Sequence, residues 1–478
     1  MIGKRWHRYM AGLVAGSLGV LLTLSTGMAS AGVSVLYPGA GTKQPKTPGW
    51  NVKNQEGGSG AVSSKEGKSV QRLDKGKKGT ATMLSVMLGD SLSSAALSAN
   101  VDYELVDGSG GRVLKKLTAN KGIEVRAAGG AMELDGEKIP SRIVTLHISD
   151  GGRVMYNGKA YRGSLRLIYD GSGIQVLNLV SLEDYAKGVL PSEMSPSWQP
   201  EALKAQAVAA RTFALYNRGK GHSASSGYDL CSSSHCQVYS GSSAETDTTN
   251  QAVEATYGQV MQYNSLPIYA AFHASSGGAT ENSEDVWGNY LPYLRSVTDD
   301  DSRSPYHNWT SRFTVVQIEK KLASASKGVG SLQSVALVPV SGSGSVTARS
   351  ASGRAYGVKF TGTDGNITIT GEQARTIFGL KSAMFNVRTE RSVQLSAKEQ
   401  KKDTANTGEA KTVDAKPAAM NNGAMRLQGV DSVVFEGHGF GHGLGMAQYG
   451  ANAMAAAGSS YDAILHHYYT DVVIQEIY

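Results

Sequence analysis

The segment Gly188–Asn217, GVLPSEMSPSWQPEALKAQAVAARTFALYN, joins a Pro-rich turn to the most regular helical pattern of the chain. Its second half predicts a helix, because Pro200 suits a first helical position and small apolar residues recur at helical spacing from Leu203 to Ala214. Gly219 predicts the end of this helix. The small side chains allow close approach of another element, so we expect the helix in the core of a domain.

Glu193 lies in the first half of the same segment, between Pro191 and Trp198. The prolines and apolar neighbours predict rigid, partly desolvated surroundings, which raise the pKa of a carboxylic acid as a general acid requires near neutral pH. The alternative is an acid at a helix entry that caps the helix or pairs with Lys204 or Arg211. Spacing alone leaves both interpretations open.

Short segments upstream of this helix alternate apolar and polar residues between Gly-containing turns, which predicts strands. They are YELVD from Tyr103, GIEVRAA from Gly122, SRIVTLHIS from Ser141, GSLRLIYD from Gly163 and GIQVLNLV from Gly173. We expect an α+β protein with a small β-rich domain at 80–180. It packs on a larger mixed α/β domain at 181–478, with a cleft between them. Within the larger domain, residues 395–425 have almost no large apolar side chains and predict a disordered insertion.

The N-terminal 31 residues combine basic residues, an apolar stretch and Ala29-Ser30-Ala31, which predicts a cleaved signal peptide or, uncleaved, a membrane anchor. Residues 32–79 are rich in Lys, Gly and Ser and predict a basic flexible linker. The net charge of +7 comes from these two regions, so we expect no nucleic-acid partner. The protein is expected outside the cell, in the cell wall or on the outer face of the cytoplasmic membrane.

Cys231 and Cys236 are the two cysteines of the chain, and His222 and His235 lie within the same short stretch. In an exported protein a Cys231–Cys236 disulfide is the default expectation. The alternative is a zinc site, because Cys and His match the tetrahedral preference of zinc. The residues leave both possibilities open.

Two Gly-rich motifs supply candidate ligand-binding residues. In GHGFGHGLG, glycines alternate with His438 and His442, which would share one face if the segment is extended. In FHASSGGATE, His273, Ser275 and Ser276 precede a Gly-Gly turn. Small polar groups with nearby aromatic residues are typical of a sugar-binding cleft, and the alternatives are a tightly packed strand and a structural Ser/Gly loop.

Four segments in this order resemble the stage II sporulation protein D family, which includes the amidase enhancer of bacterial autolysins. They are SLEDYAKGVLPSEMSPSWQPEALKAQAVAARTFAL, HCQVYSG, FHASSGGATE and GHGFGHGLGMAQYGA. The resemblance covers about 80–478 apart from the 395–425 insertion.

The resemblance implies a peptidoglycan lytic transglycosylase that cuts between N-acetylmuramic acid and N-acetylglucosamine and leaves a 1,6-anhydro end. The catalytic acid of the family lies in a P-x-E-M motif that maps onto Glu193, with Trp198 beside it as a candidate substrate residue. Some members bind zinc, which maps onto Cys231, His235 and Cys236. The match of His222 is looser because its spacing differs.

Other functions remain open at this point. The main alternative is a non-catalytic, glycan-binding enhancer of an N-acetylmuramoyl-L-alanine amidase, which would not depend on Glu193. A zinc-dependent amidase or peptidase would need an open metal position, and the chain lacks the H-E-x-x-H motif. The length of the chain disfavours a simple carbohydrate-binding module. The expected partners are therefore glycan strands and a cell-wall amidase.

Overall fold

The computed structural model describes residues 82–108, 111–149, 151–220, 227–340, 347–390, 420–421, 424–426 and 432–478. The predicted signal peptide or anchor (1–31), the linker (32–79) and most of the predicted insertion (395–425) lie outside these residues, so they stay predictions. In the described part of the chain, no helix has both the length and the apolar character needed to span a membrane.

The described chain combines helices and strands, which confirms the predicted α+β class. The helices are α1 (Leu182–Glu193), α2 (Pro200–Asn217), α3 (Asp247–Ala255), α4 (Ser283–Trp287), α5 (Val315–Ser324), α6 (Gly371–Phe378), α7 (Gln448–Ala456) and α8 (Tyr461–Tyr468). A 3-10 turn at Gly241–Ala244 precedes α3. The helix expected from Pro200 is α2, and Gly219 beyond its end has a positive φ of 71°, as a helix-terminating glycine should.

The strands are short, and each of the five segments predicted as strands upstream of α2 contains one. In chain order they are β1 (Met83–Leu92), β2 (Ser94–Ala99), β3 (Tyr103–Asp107), β4 (Val113–Leu117), β5 (Ile123–Ala128), β6 (Ala131–Leu134), β7 (Glu137–Lys138), β8 (Ile143–Ile148), β9 (Val154–Tyr156), β10 (Lys159–Tyr161), β11 (Ser164–Tyr169), β12 (Ile174–Ser181), β13 (Leu230–Cys231), β14 (Gln259–Tyr263), β15 (Leu266–Pro267), β16 (Phe272–His273), β17 (Trp309–Thr314), β18 (Leu332–Val338), β19 (Gly357–Gly362), β20 (Gly365–Thr370), β21 (Phe385–Glu390), β22 (Met420–Asn421), β23 (Ala424–Arg426), β24 (Ser432–Gly437), β25 (Met446–Ala447) and β26 (Val473–Glu476).

Two larger sheets dominate the first part of the chain. One has the strand order β13-β1-β12-β11-β8-β3-β4 and the other β10-β9-β2-β5-β6-β7. Buried and less buried residues alternate along β3 and β11, as expected for strands with one face on a core. The smaller sheets are β15-β14-β26, β16-β25, β17-β24-β21 and β20-β19-β18-β23-β22.

The buried apolar side chains form two clusters. The first takes its members from 84–294 and 444–472 and so includes residues on both sides of the predicted boundary at 180. The second takes its members from 309–385 and 433–435. We call residues 309–437 the inserted unit. Its strand β24 lies beyond the predicted insertion and pairs with β17 and β21, as expected for an apolar strand that must find partners earlier in the chain. The domain boundaries themselves stay predictions.

Helix α1 continues directly from strand β12 and carries the candidate acid at its far end. The Ser181 hydroxyl accepts a hydrogen bond from the Asp184 N–H (3.1 Å), and Glu183 and Asp184 complement the positive end of the helix dipole. The helix ends at Glu193 because Met194 adopts an extended conformation. Glu193 therefore lies beside the helix carbonyl ends, which favour the neutral form of a carboxyl group.

A buried ion pair joins α1 to α2. Two guanidinium nitrogens of Arg211 donate to the two carboxylate oxygens of Glu183, each over 2.8 Å, and the side chains are 0% and 9% exposed. Arg211 also donates to the carbonyls of Gln259 (3.0 Å) and Val253 (3.2 Å), and the Tyr478 hydroxyl donates to Glu183 (2.6 Å). This pair ties together α1, α2, α3, β14 and the C-terminal residue.

We expect Arg211→Met to lower the free energy of unfolding by about 3–5 kcal/mol, because it leaves the Glu183 carboxylate buried without its cation. Urea unfolding followed by circular dichroism measures this loss. The matched control is Arg126→Met, which removes an exposed cation paired with Glu124 and should cost little, because solvent screens this pair. Equal losses in the two variants would show that the buried pair does not hold the helices.

Candidate active site

The carboxyl group of Glu193 is partly buried at the end of α1. Its Oε1 accepts a hydrogen bond from the Val238 N–H (3.1 Å), and the side-chain amide of Gln448 also donates to it. Burial raises the pKa of Glu193 to about 7, and the two hydrogen bonds offset only part of this rise. Both protonation states are therefore populated near neutral pH, as a group that acts first as acid and then as base requires.

The two cations that could have neutralised Glu193 are engaged elsewhere. Lys204 pairs with Glu201 (2.6 Å), and Arg211 pairs with Glu183 (2.8 Å). The interpretation of Glu193 as an ion-paired acid at a helix entry is therefore wrong. The other interpretation, that Glu193 is a catalytic acid, agrees with this geometry but is not tested by it.

Residues 229–241 form a loop that packs along α1 and aims a backbone donor at the acid. The Tyr239 ring lies against the Tyr185 ring, with 5.0 Å between centroids. A Cβ atom at Gly188 would lie 2.5 Å from the Tyr239 ring, so this approach requires glycine. The packing fixes the backbone just before Tyr239, which directs the Val238 N–H to Glu193.

The same loop brings three of the four predicted metal ligands together. Cys231 lies at the end of β13, where it pairs in register with Met87 of β1. The His235 Nδ1 lies 3.7 Å from the Cys231 Sγ and 3.9 Å from the Cys236 Sγ, and the two Sγ atoms lie 2.9 Å apart. His222 lies outside the described residues. The 2.9 Å between the two Sγ atoms is longer than the roughly 2.05 Å of a disulfide bond.

The three donor atoms are of the kinds that zinc prefers, and all lie within 4.8 Å of one another. Tetrahedral zinc with Zn–S near 2.3 Å and Zn–N near 2.0 Å places its ligand atoms roughly 3.5–3.8 Å apart. The two sulfur–nitrogen distances agree with this spacing, whereas the 2.9 Å between the Sγ atoms is shorter, so the two sulfurs would move apart to hold the ion. The neighbouring Cys231 sulfur, together with burial, raises the pKa of the Cys236 thiol. Two adjacent thiols of this kind resist double ionisation unless a cation compensates their charge.

Two of the predicted substrate residues, Ser275 and Ser276, lie inside the protein. Their exposed fractions are 1% and 0%, and their hydroxyls donate to the buried carboxylate of Asp301 and the half-buried carboxylate of Asp299. Around these serines the motif is therefore a structural loop. Contact of the two serines with a ligand stays a prediction, and their burial argues against it. His273 is also buried, with its Nδ1 3.1 Å from the Leu444 carbonyl oxygen.

The Gly-rich motif is not extended, so the expected common face of its histidines is wrong. Gly439, Gly441, Gly443 and Gly445 all have positive φ, and a Cβ at Gly445 would lie 2.0 Å from the Ala271 carbonyl oxygen. The motif therefore coils where only glycine fits. Its two histidines separate as a result.

The separated histidines have different surroundings. His438 is exposed, whereas the His442 ring lies 5.6 Å from the rings of both His273 and Trp287. Burial lowers the pKa of His442 to about 3, so its ring is neutral at physiological pH. His442 therefore packs as a half-buried, neutral aromatic ring, whereas His438 is exposed at the surface.

Gln448 is a site residue that the sequence did not indicate. Its side chain lies between Glu193 and Gln206, whose Oε1 is 3.4 Å from the Gln448 Nε2. Gln448 begins α7, more than two hundred residues after Glu193. Only the nearby motif GMAQYGA marked this region, and nothing in its spacing predicts contact with the acid.

The raised pKa of Glu193 predicts a stability that depends on pH. Between about pH 4.5 and 7 the folded protein holds a proton that the unfolded chain releases, so the free energy of unfolding falls as pH rises through this window. We expect Glu193→Gln, which removes the buried charge, to be more stable than wild type at pH 8 by about 1–3 kcal/mol.

Urea unfolding of wild type and Glu193→Gln at pH 4 and pH 8 tests this expectation. At pH 4 both states of the wild type are largely protonated at this position, so the two proteins should differ little. Glu254→Gln, at an exposed acid paired with Lys187, serves as the control and should not show this gain at pH 8. A wild type at least as stable as Glu193→Gln at pH 8 would contradict a buried, raised-pKa carboxyl group.

Comparison with known proteins places this arrangement in a recognised class. The family model described as Stage II sporulation protein matches residues 170–263, which contain Glu193 and the Cys231, His235 and Cys236 cluster. Stage II sporulation protein D of Bacillus subtilis (strain 168) is 32% identical over 316 residues, 63% of this chain and 76% of that protein. The chain therefore belongs to the stage II sporulation protein D family, which confirms the resemblance.

Two further relatives extend the comparison. Stage II sporulation protein D of Bacillus amyloliquefaciens is 32% identical over 324 residues, 65% of this chain and 78% of that protein. The Amidase enhancer of Bacillus subtilis (strain 168) is 31% identical over 393 residues, 79% of this chain. The match spans 52% of the Amidase enhancer, or about half of its length.

Proposed function

We propose that the protein is an exported lytic transglycosylase that cleaves peptidoglycan between N-acetylmuramic acid and N-acetylglucosamine and leaves 1,6-anhydro ends. The observation that carries the proposal is the Glu193 carboxyl group, which burial holds at a pKa of about 7 at the end of α1. The names of the relatives, Stage II sporulation protein D and Amidase enhancer, support a cell-wall role in sporulation.

In the proposed reaction, protonated Glu193 donates its proton to the glycosidic oxygen, which leaves on N-acetylglucosamine. The bond between that oxygen and C1 of N-acetylmuramic acid breaks. The 6-hydroxyl of the same muramic acid residue forms the new bond to C1, and the Glu193 carboxylate takes the hydroxyl proton. Glu193 ends as it began, and no water is consumed.

A single carboxyl group suffices for this chemistry. Hydrolytic glycosidases need two carboxyl groups, one as acid and one as base or nucleophile. Here the nucleophile is tethered to the reacting sugar, so its attack is effectively intramolecular. In the described residues, the groups that shift the pKa of Glu193 include no second carboxylate. The Val238 N–H and the Gln448 amide would stabilise the carboxylate between the two proton transfers.

The proposed location and partners follow from the same function. Glycan strands lie outside the cytoplasmic membrane, and residues 1–31 have the pattern of an export signal or an anchor. The proposed partners are glycan strands and a cell-wall amidase that removes their stem peptides. A membrane contact is proposed only through an uncleaved N-terminal segment.

Product analysis by mass spectrometry tests the proposal on peptide-free glycan strands. We expect wild type to release fragments with 1,6-anhydro ends and Glu193→Gln to lose about 100- to 10,000-fold in rate, the usual contribution of general acid–base catalysis. The rate of the wild type should fall as pH rises above about 7, because the starting acid is then ionised.

The control for this experiment is Glu254→Gln, since the exposed Glu254 lies on α3 away from the proposed reaction. Fragments with ordinary reducing ends would indicate hydrolysis and overturn the single-carboxylate mechanism. Anhydro-ended products at an undiminished rate from Glu193→Gln would overturn the role of Glu193.

We also propose that zinc is the cofactor of the loop at 229–241. Cys231, His235 and Cys236 would hold the ion, with His222 or water as the fourth ligand. Zinc supplies a positive charge that keeps both thiols deprotonated and fixes the loop, a structural role in a four-ligand site. The loop in turn presents the Val238 N–H to Glu193, so the cluster would position the acid without contacting substrate.

We expect the purified protein to contain one zinc ion and Cys236→Ser to lose it. Elemental analysis measures the metal, and a thermal melt should show a drop of several degrees, because metal binding contributes to folding. Ser234→Ala, an exposed position in the same loop, should keep both zinc and stability. Zinc-free protein whose cysteines become reactive to alkylation only after reduction would indicate the disulfide instead.

A second candidate function rests on the Amidase enhancer, a relative 31% identical to this chain. In this alternative the protein binds glycan strands and stimulates an N-acetylmuramoyl-L-alanine amidase without cleaving glycosidic bonds. Stimulation of a cell-wall amidase by wild type and Glu193→Gln alike, with no cleavage of glycan by either, would favour it.

A further inference from the structure

The side-chain amide of Gln448, which contacts Glu193, has two ends of nearly the same shape. Packing alone therefore does not choose between its NH2 group and its carbonyl oxygen. The NH2 group donates to an ionised carboxylate and stabilises it, whereas the oxygen accepts a hydrogen bond from the neutral acid and stabilises that form. The two orientations of Gln448 thus favour opposite protonation states of Glu193.

Gln206 in α2 fixes which end of Gln448 faces the acid. The Gln206 side chain is fully buried, and its Oε1 accepts a hydrogen bond from the Gln448 Nε2 over 3.4 Å. The amide of Gln448 also donates to Glu193. A primary amide nitrogen carries two hydrogens, so one serves Gln206 and the other serves Glu193. Both acceptors of this NH2 group therefore belong to the protein itself.

Reversing the Gln448 carboxamide would break this arrangement at both ends. Its oxygen would then face the Gln206 Oε1 and a carboxylate oxygen of Glu193, and neither of these carries a hydrogen while the acid is ionised. A reversed Gln448 could accept only from protonated Glu193, and its contact with Gln206 would still be lost. The Gln206 oxygen therefore favours the donor orientation of Gln448 in both protonation states of the acid.

Packing does not explain why residue 206 is a glutamine. Among the described residues, the Gln206 Nε2 finds no hydrogen-bond partner, and a buried donor without an acceptor is unfavourable. Turning this amide would bring its NH2 group against the NH2 group of Gln448. A methionine of similar length would fill the space without an unpaired donor. The contact with Gln448 is therefore the polar role that the structure gives to Gln206.

The titratable groups around this site do not replace the amide. Burial raises the pKa of Tyr185 on α1 and of Tyr449 on α7, so both rings stay neutral at physiological pH. In the loop at 229–241, a hydrogen bond from the Cys231 thiol raises the pKa of both His235 and Cys236. The two cations of α2 pair with acids of their own. In the described part of the chain, no charged side chain shifts the pKa of the candidate acid.

We propose that Gln206 is a positioning residue whose side-chain oxygen holds the Gln448 carboxamide with its NH2 group toward Glu193. Gln206 acts through Gln448 and needs no contact of its own with a substrate. The inference rests on the proposed function, in which Glu193 gives up one proton and later takes another. A fixed donor stabilises the carboxylate between these steps, whereas a free amide would turn its oxygen to the neutral acid and retain the proton.

Titration of Glu193 by nuclear magnetic resonance tests the proposal without substrate. The full-length protein carries carbon-13-labelled glutamate, and the signal missing from Glu193→Gln identifies the Glu193 carboxyl group. We expect Gln206→Met to raise the titration midpoint of Glu193 by roughly one pH unit, because the carboxylate loses its amide donor. Gln262→Met, at a buried glutamine on β14, is the matched control and should leave this midpoint unchanged.

A double variant separates a positioning role from a loosened core. Gln448→Met should raise the midpoint at least as much as Gln206→Met, and the two changes together should raise it no further. Circular dichroism melts identify variants that lose the fold. If Glu193 is the proposed acid, the fall of the cleavage rate at high pH should move upward by the same amount in Gln206→Met.

A measurement on the wild type covers the case in which Gln206→Met does not fold. In protein with nitrogen-15-labelled glutamine, the signal missing from Gln448→Met identifies the Gln448 NH2 group. One of its two protons should shift downfield as Glu193 ionises, because it donates to the new charge. The other proton, which donates to Gln206, should change little.

An unchanged or lowered midpoint in Gln206→Met would overturn the proposal. Shifts that add in the double variant would overturn it too, because Gln206 would then act on Glu193 by another route than Gln448. A Gln448 NH2 group that does not follow the ionisation of Glu193 would contradict the orientation itself. Since no step needs turnover, a protein that fails to cleave glycan can still pass or fail this test.

Discussion

The buried ion pair between Glu183 and Arg211 is the contact on which the position of the candidate acid depends. It fixes the first turn of α1 against α2 and also joins α3, β14 and the C-terminal Tyr478. A helix is stiff over its short length, so a fixed first turn fixes the last residue as well. Glu193, at the other end of α1, is thereby placed by a contact about three turns away.

At that end the structure balances two opposing effects on one carboxyl group. Burial favours the neutral form of Glu193, while the Val238 N–H and the Gln448 amide favour the ionised form. A buried carboxyl group with a raised pKa destabilises the folded protein at high pH, where it is ionised. Neighbouring residues must therefore keep it in this position. The Tyr239 ring packs against Gly188 and helps to keep Glu193 in place, because this contact fixes the backbone that carries the Val238 N–H.

The inserted unit also contacts the Ser/Gly loop and the Gly-rich motif through a buried arginine. Arg354 from this unit donates to the carbonyls of Ser276 (2.8 Å) and Ala279 (3.0 Å) and packs where Gly443 leaves no side chain. One buried cation thus binds the Ser/Gly loop and the Gly-rich motif together. This close approach explains why both motifs are rich in glycine and other small residues.

The sequence by itself determined the elements whose signals are local, namely the start of α2 at Pro200 and the five strands predicted upstream of it, and it offered Glu193 as a candidate acid. Only the tertiary structure decided which residues meet that acid. Gln448 comes from a segment far along the chain, and the coiling of the Gly-rich motif overrode its period of two. Periodicity and turn chemistry act between neighbours in the chain, whereas the site is built by long-range packing that no local pattern records.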